Sequence, residues 1–311
     1  MRFLPDISVR AALAIALAAA PFSLPAKQKE VSCRALADRL LAGRMTAETK
    51  IAEEPQRCVV TDVRFQLSKY QGWAVDRLTV SGPDFRRLEK GRPLPTALDV
   101  EAHGITLSPD IDDSHTRYMM RAQQRPFDAR LSYVWDEAAG RMHLKELAVD
   151  SPAAGLIAFS ADADLPDIAR LTQSRKPGQI GIRHLKVVFD NNGLFEGMLL
   201  PVFLGMIPAD QDPAVEVPKA QARDMAAIAK LPDTAIDRAS KDALSRFLRD
   251  FPNPRGYFEL EQTFDTPLEL GGLSSLPATA ASAWLHGSHI SARYDMASSR
   301  YRSSAVPATA R

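Results

Sequence analysis

Asp110, Asp112, Asp113 and His115 crowd three carboxylates and an imidazole into one short stretch, the density of oxygen and nitrogen ligands that a cation site needs. A calcium loop also needs a glycine for its sharp turn and a terminal glutamate; this stretch has neither and reads as a solvated acidic loop between strands. His286 and His289 stand three apart beside Gly287 and are close enough to share a metal, but no third ligand is signalled nearby. His103, His143 and His184 are scattered. There is no Gly-x-Ser-x-Gly elbow, phosphate loop or dinucleotide fingerprint, so no cofactor is expected and the chain reads as a non-enzyme. Cys33 and Cys58 are the only cysteines, too far apart for a redox or metal pair and suited to a disulfide in an exported chain. Tyr70, Trp73, Tyr133, Trp135 and Trp284 have faces that stack on ligands or sugars, and on strands they equally serve as cross-strand pairs.

Export is read from the N-terminus. Arg2 and Arg10 precede an apolar run from Ala11 to Ala20, and Leu24-Pro25-Ala26 supplies a small-residue end, so residues 1–26 read as a signal peptide cleaved after Ala26. The run is about half the ~20 residues that span a bilayer, and Pro21 and Pro25 prevent its extension towards residue 30. The mature chain is therefore expected in the periplasm with no transmembrane segment. Among 311 residues, 45% are hydrophobic and 25% charged, as in a folded globular protein. Lys plus Arg (39) nearly balance Asp plus Glu (38), which excludes a whole-molecule field that would gather nucleic acid.

The elements that must position any site are mostly strands. Ala129, Leu131, Tyr133 and Trp135 alternate with Arg130, Ser132, Val134 and Asp136, the period-2 pattern of a strand with one buried face. Asp136-Glu137-Ala138-Ala139-Gly140 makes a hairpin loop. Met142 and Leu144 return on one parity and Leu147 and Val149 on the other, which predicts a bulge near Lys145 and Glu146. Ile157, Phe159, Ala161 and Ala163 then line one face of a third strand. Earlier strands run through Val59, Val63, Phe65 and Leu67, through Leu78 and Val80, and through Leu98, Val100 and Ala102, with a bulge at Gly104. Ile182 to Phe189 and Gly256 to Phe264 give two more, and a last strand centres on Ile290 and Ala292.

Helices are fewer. Ser32 caps a short amphipathic helix from Cys33 to Leu41. Ser108 to Pro126 reads as loop with a helical turn at Tyr118–Met120. Pro218 sits at a first helical position, and Ala239, Ala243, Leu244, Phe247, Leu248 and Phe251 form one apolar face that Pro252 stops. Pro267 to Leu276 reads as loop. Leu194 to Ile207 carries Glu196 as its only charge and predicts a buried helix kinked at Pro201; its functional alternatives are a movable apolar lid and a patch that touches a membrane. The fold class is α+β, an extended curved antiparallel sheet with a few helices on or beside it. Residues 27–295 form one β-rich domain, and 296–311 a flexible tail.

Three phrases, Leu98-Asp99-Val100-Glu101-Ala102-His103-Gly104-Ile105, Asp128 to Asp136 and Val187 to Phe195, carry a family style. The chain resembles exported Gram-negative proteins of the domain-of-unknown-function families DUF945 and DUF2125 and, more distantly, the AsmA-like periplasmic proteins. That resemblance implies an envelope location, a long curved sheet and an apolar groove associated with lipid movement. Two functions remain open. One is capture of a lipid or other apolar ligand, with Leu199, Phe203, Ile157, Phe159 and Trp135 as groove candidates. The other is a structural or protein-interaction component of the envelope with a filled core.

Overall fold

A computed structural model describes residues 32–40, 49–54, 56–68, 71–85, 95–107, 113–123, 125–165, 180–200, 207, 210–269 and 287–298. The expected signal peptide, Tyr70, Asp110, Asp112, Pro201, Phe203, Trp284, His286 and the tail beyond Ser298 lie outside them.

Ten strands pair here, each with the next in the chain, through connections that range from two-residue turns to a long helical insertion. They are β1 (Lys50–Glu54), β2 (Arg57–Ser68), β3 (Gln71–Ser81), β4 (Ala97–Leu107), β5 (Phe127–Asp136), β6 (Arg141–Ser151), β7 (Gly155–Asp164), β8 (Gly181–Asn191), β9 (Gly256–Glu269) and β10 (Ser288–Asp295). The sheet order is the chain order, every pair is antiparallel, and the sheet is open and curved. With four α-helices beside it among the described residues, the fold is α+β.

Register turns the alternation into continuous apolar rows, because residues directly opposite each other share a face. Ile51, Val60, Leu78, Ala102, Ala129, Val149, Ile157, Phe189, Phe258 and Tyr294 each face the next across all ten strands. A second row runs Cys58, Val80, Val100, Leu131, Leu147, Phe159, Val187, Leu260, Ala292. Both bulges expected from sequence keep these rows in phase. The β6 register shifts between Leu144 and Leu147, and the β4 register between Ala102 and Ile105. Gly104 has φ +66°, and a Cβ there would lie 2.1 Å from an Asp76 carboxylate oxygen, so only glycine fits.

The apolar face is closed at two places. Helix α1 (Cys33–Leu40), capped by the Ser32 hydroxyl at 3.3 Å from the Ala35 N–H, buries Cys33, Leu36 and Ala37 against Cys58, Val60, Val63, Val80 and Leu98. Cys33 and Cys58 come to disulfide distance, with 5.5 Å between their Cα atoms. At the other end, a helical run over residues 194–200, widened to a π-turn at Phe195–Leu199, buries Leu194 and Phe195 beside Phe189 and Phe258. Helix α4 (Arg238–Arg249), capped by Asp237 on the Ser240 N–H, adds Ala243 and stacks Phe247 on Phe258 at 4.0 Å. Helix α3 (Pro213–Ala229) buries no residue and is tied down by Gln221, which donates to the Leu248 and Phe251 carbonyls at 2.7 Å. The free edge of β10 is sealed: Ile290 N–H donates to the Ala235 carbonyl and Ala292 N–H to the Ser240 hydroxyl.

Several sequence expectations are corrected. The stretch read as loop between Ser108 and Pro126 holds helix α2 (Ser114–Gln123), which Asp113 starts by accepting from the Thr116 N–H. Helix α3 begins at Pro213, not Pro218: Asp212 caps it, and Pro218 lies inside. Strand β9 runs past Pro267 to Glu269; the proline falls where the β8 register shifts between Ile182 and His184 and where β10 has already ended, so no ladder bond needs its missing N–H. In β2, Val60 rather than Val59 is buried, and Asp62 at φ +57° lets Val60 and Val63 both turn inwards. Strand β1 is not legible in its short, charged sequence.

A bridge between Cys33 and Cys58 closes a loop with a sequence separation of 25. The chain-entropy relation then gives about 3.5 kcal/mol of stabilisation. Urea unfolding with and without reductant should differ by about that amount, and Cys33→Ala should abolish the difference; equal midpoints would show that no bridge forms.

Candidate functional site

The middle of the apolar face differs from its ends. Leu147 and Val149 on β6, Phe159 on β7 and Val187 on β8 are paired neighbours, stay half-buried, and pack into neither closed cluster. They form a seam between the α1 end and the α4 end of the sheet. The strands put these side chains there for an ordinary reason: the bulge at Lys145 restores parity, so Leu147 and Val149 point to the same side as Met142 and Leu144. Half-burial is what remains when no described helix lies over them.

The sequence candidates divide around this seam. Phe159 lies in it. Ile157 and Leu199 pack together against the aromatic cluster of Phe189, Phe195 and Phe258, on its α4 side. Trp135 lies in the other cluster, buried at 5% exposure, two residues from Tyr133 at 6%. Leu147, Val149 and Val187 are ordinary strand positions by sequence, since nothing in a periodic pattern says which stretch of a face a helix will leave uncovered.

Polar atoms inside the first cluster are not all satisfied. The Tyr133 hydroxyl and the Trp135 indole N–H are both buried without a hydrogen-bond partner among the described residues. Burial first, and then the negative charge of Asp84, push the Tyr133 phenol well above its ordinary value, so it stays protonated. Asp84 itself accepts from the Thr96 N–H at 3.0 Å and from its hydroxyl.

On the opposite face, imidazoles meet carboxylates. His103 Nδ1 lies 3.0 Å from Asp128, His143 bonds Asp162, and His184 Nε2 lies 2.8 Å from Glu261. Among the described residues none of these rings meets a hydroxyl or thiol, and no group of three or more His, Cys, Asp or Glu could hold a metal ion. Of the acidic stretch, Asp113 caps α2 and His115 is exposed; His289 stands 3.8 Å from Asp265. These pairs bridge neighbouring strands, β4 to β5, β6 to β7 and β8 to β9. A cleft of about 390 Å³ beside Lys50, Asp62, Arg64 and Asp76 is mixed in polarity and lies on β1–β3, away from the seam. No described helix is long and apolar enough to cross a membrane.

The Asp128 carboxyl gives a testable electrostatic consequence. Partial burial pushes it up, but the Gly104 N–H bond at 3.0 Å, the His103 bond and the charges of His103 and Arg130 outweigh that and hold it below its ordinary range. Its contribution to stability is therefore complete above the unfolded value of ~3.9 and is lost as pH falls through the lower folded value. Carboxyl NMR should find Asp128 titrating below ~3.9 and moving up in His103→Ala; an unchanged midpoint in that variant would remove His103 from the pair.

No protein-family model matches the chain, and no curated protein matches it either.

Proposed function

We propose that the mature protein is a non-enzymatic carrier or sensor of an apolar ligand, a lipid or acyl chain, held on the sheet seam in the periplasm. The observation that carries this reading is the half-buried quartet Leu147, Val149, Phe159 and Val187, set in an apolar face whose two ends are closed. Complete burial of a side chain of this size contributes about 1.5–3 kcal/mol, and half-burial leaves part of that unrealised. A ligand laid on the seam recovers it. The seam is also where rows from both ends meet, so an elongated occupant gains contact along two directions of the sheet. The expected export agrees with this reading: an apolar molecule cannot cross an aqueous compartment unaided.

A second reading, a protein partner in the envelope, is favoured by helix α2, where Tyr118 and Met119 stand 74% and 55% exposed. It needs a partner surface at that helix and leaves the seam empty.

Two substitutions separate a ligand seam from plain core. Phe159→Ser should lower affinity for a long-chain alkyl fluorophore about tenfold or more while the protein stays folded. Phe258→Ser, in the closed aromatic cluster, should cost about 3–5 kcal/mol of stability. Should Phe159→Ser destabilise as much as Phe258→Ser, with no probe bound by the unaltered chain, the seam is core and the carrier reading fails.

A further inference from the structure

The two unpartnered donors in the first cluster lie close to the seam. Tyr133 and Trp135 are successive inward residues of β5. Tyr133 faces Leu144 on β6, which faces Ala161 on β7, two residues along from Phe159. The phenol row is thus the next row of the sheet after the one holding Leu147 and Phe159. Two strand spacings separate Tyr133 from β7, roughly 10 Å, well within the length of an acyl chain.

An indole N–H can only donate, and a buried donor left unpaired costs about 1–3 kcal/mol. Two such donors stand two residues apart on one strand face, and a carbonyl oxygen, with two lone pairs, is an acceptor able to serve both. We propose that Tyr133 and Trp135 bind the neutral carbonyl oxygen of an acyl ester whose hydrocarbon chain lies on the Leu147–Phe159 seam. This deepens the carrier reading and rests on it.

Charge selects among the acceptors. A free carboxylate or a phosphate would also accept both bonds, but Asp84 places negative charge near the Tyr133 phenol and repels a second anion. The phenol is held protonated by its burial and by that same charge, so it remains a donor across the accessible pH range. Leu98, Leu165 and Phe85 are buried in the same cluster. A neutral ester avoids that repulsion, with its chain in hydrocarbon and its carbonyl on two donors. A lone water is the competing occupant; it would satisfy the same two donors and make the site indifferent to the ligand's head.

The test compares three probes of one chain length, methyl palmitate, palmitate and hexadecane, on the mature chain and on Tyr133→Phe and Trp135→Phe. Both substitutions keep an aromatic ring and remove the donor, and thermal melts check that each variant folds. The ester should bind the unaltered protein more tightly than either other probe, and each substitution should weaken ester binding about three- to tenfold while leaving hexadecane unchanged. Infrared spectra of ester labelled at the carbonyl carbon give a readout that needs no variant: the bound carbonyl stretch should shift to lower frequency than in hexadecane solution. Hexadecane binding with equal ester affinities in all three proteins, or an unshifted carbonyl, overturns the ester site and leaves the carrier reading standing. Failure of all three probes to bind overturns both.

Discussion

The structure depends on one constraint: a ten-stranded meander with a single unbroken apolar face must find something to cover that face. The row from Ile51 to Tyr294 crosses every strand with no polar interruption. An open sheet cannot fold that face against itself as a barrel does, so cover comes from elements added along the chain. Helix α1 arrives before the first strand and α4 between β8 and β9, and these two close the two ends of the apolar face. The middle strands β5, β6 and β7 are joined by tight turns with no room for a helix, and there the face stays half-buried.

Each end is sealed by a different device. At the α1 end, cysteines at disulfide distance hold a short helix that would otherwise be marginal; eight residues are too few to be stable alone. At the α4 end, edge-to-face and stacked rings among Phe189, Phe247, Phe258 and Tyr294 lock the helix, and the Tyr294 hydroxyl is satisfied by Asp250 at 2.7 Å. The same end caps β10 with Ala235 and Ser240, which prevents growth of the sheet in that direction. Rigid ends and a half-buried middle that no described helix covers suit the proposed carrier of a slender apolar molecule.

The sheet is legible in the sequence because period-2 alternation, Gly-containing turns and parity changes are local, and each of the bulges at Gly104 and Lys145 announces itself by such a change. Features set by the neighbours of a strand are not. Pro267 looks like a stop because a central strand cannot spare an N–H, yet at that position β10 has ended and the β8 register is shifted. Val60 displaces Val59 because a positive φ at Asp62 is invisible in composition. For the site, Phe159 and Trp135 are legible as aromatics on inward positions, whereas Leu147, Val149 and Val187 become distinct only once the covers of the face are placed. That Tyr133 and Trp135 find no partner among the described residues is set by packing, which no spacing encodes.

Native mass spectrometry of residues 27–311, expressed in a bacterial periplasm and purified without detergent, asks whether the sheet holds an acyl ligand. The expected result is a one-to-one complex with an acyl-bearing molecule that extraction releases and identifies, and loss of that mass in Phe159→Ser. A folded chain that carries no such mass, and takes up none when acyl esters are supplied, would contradict it.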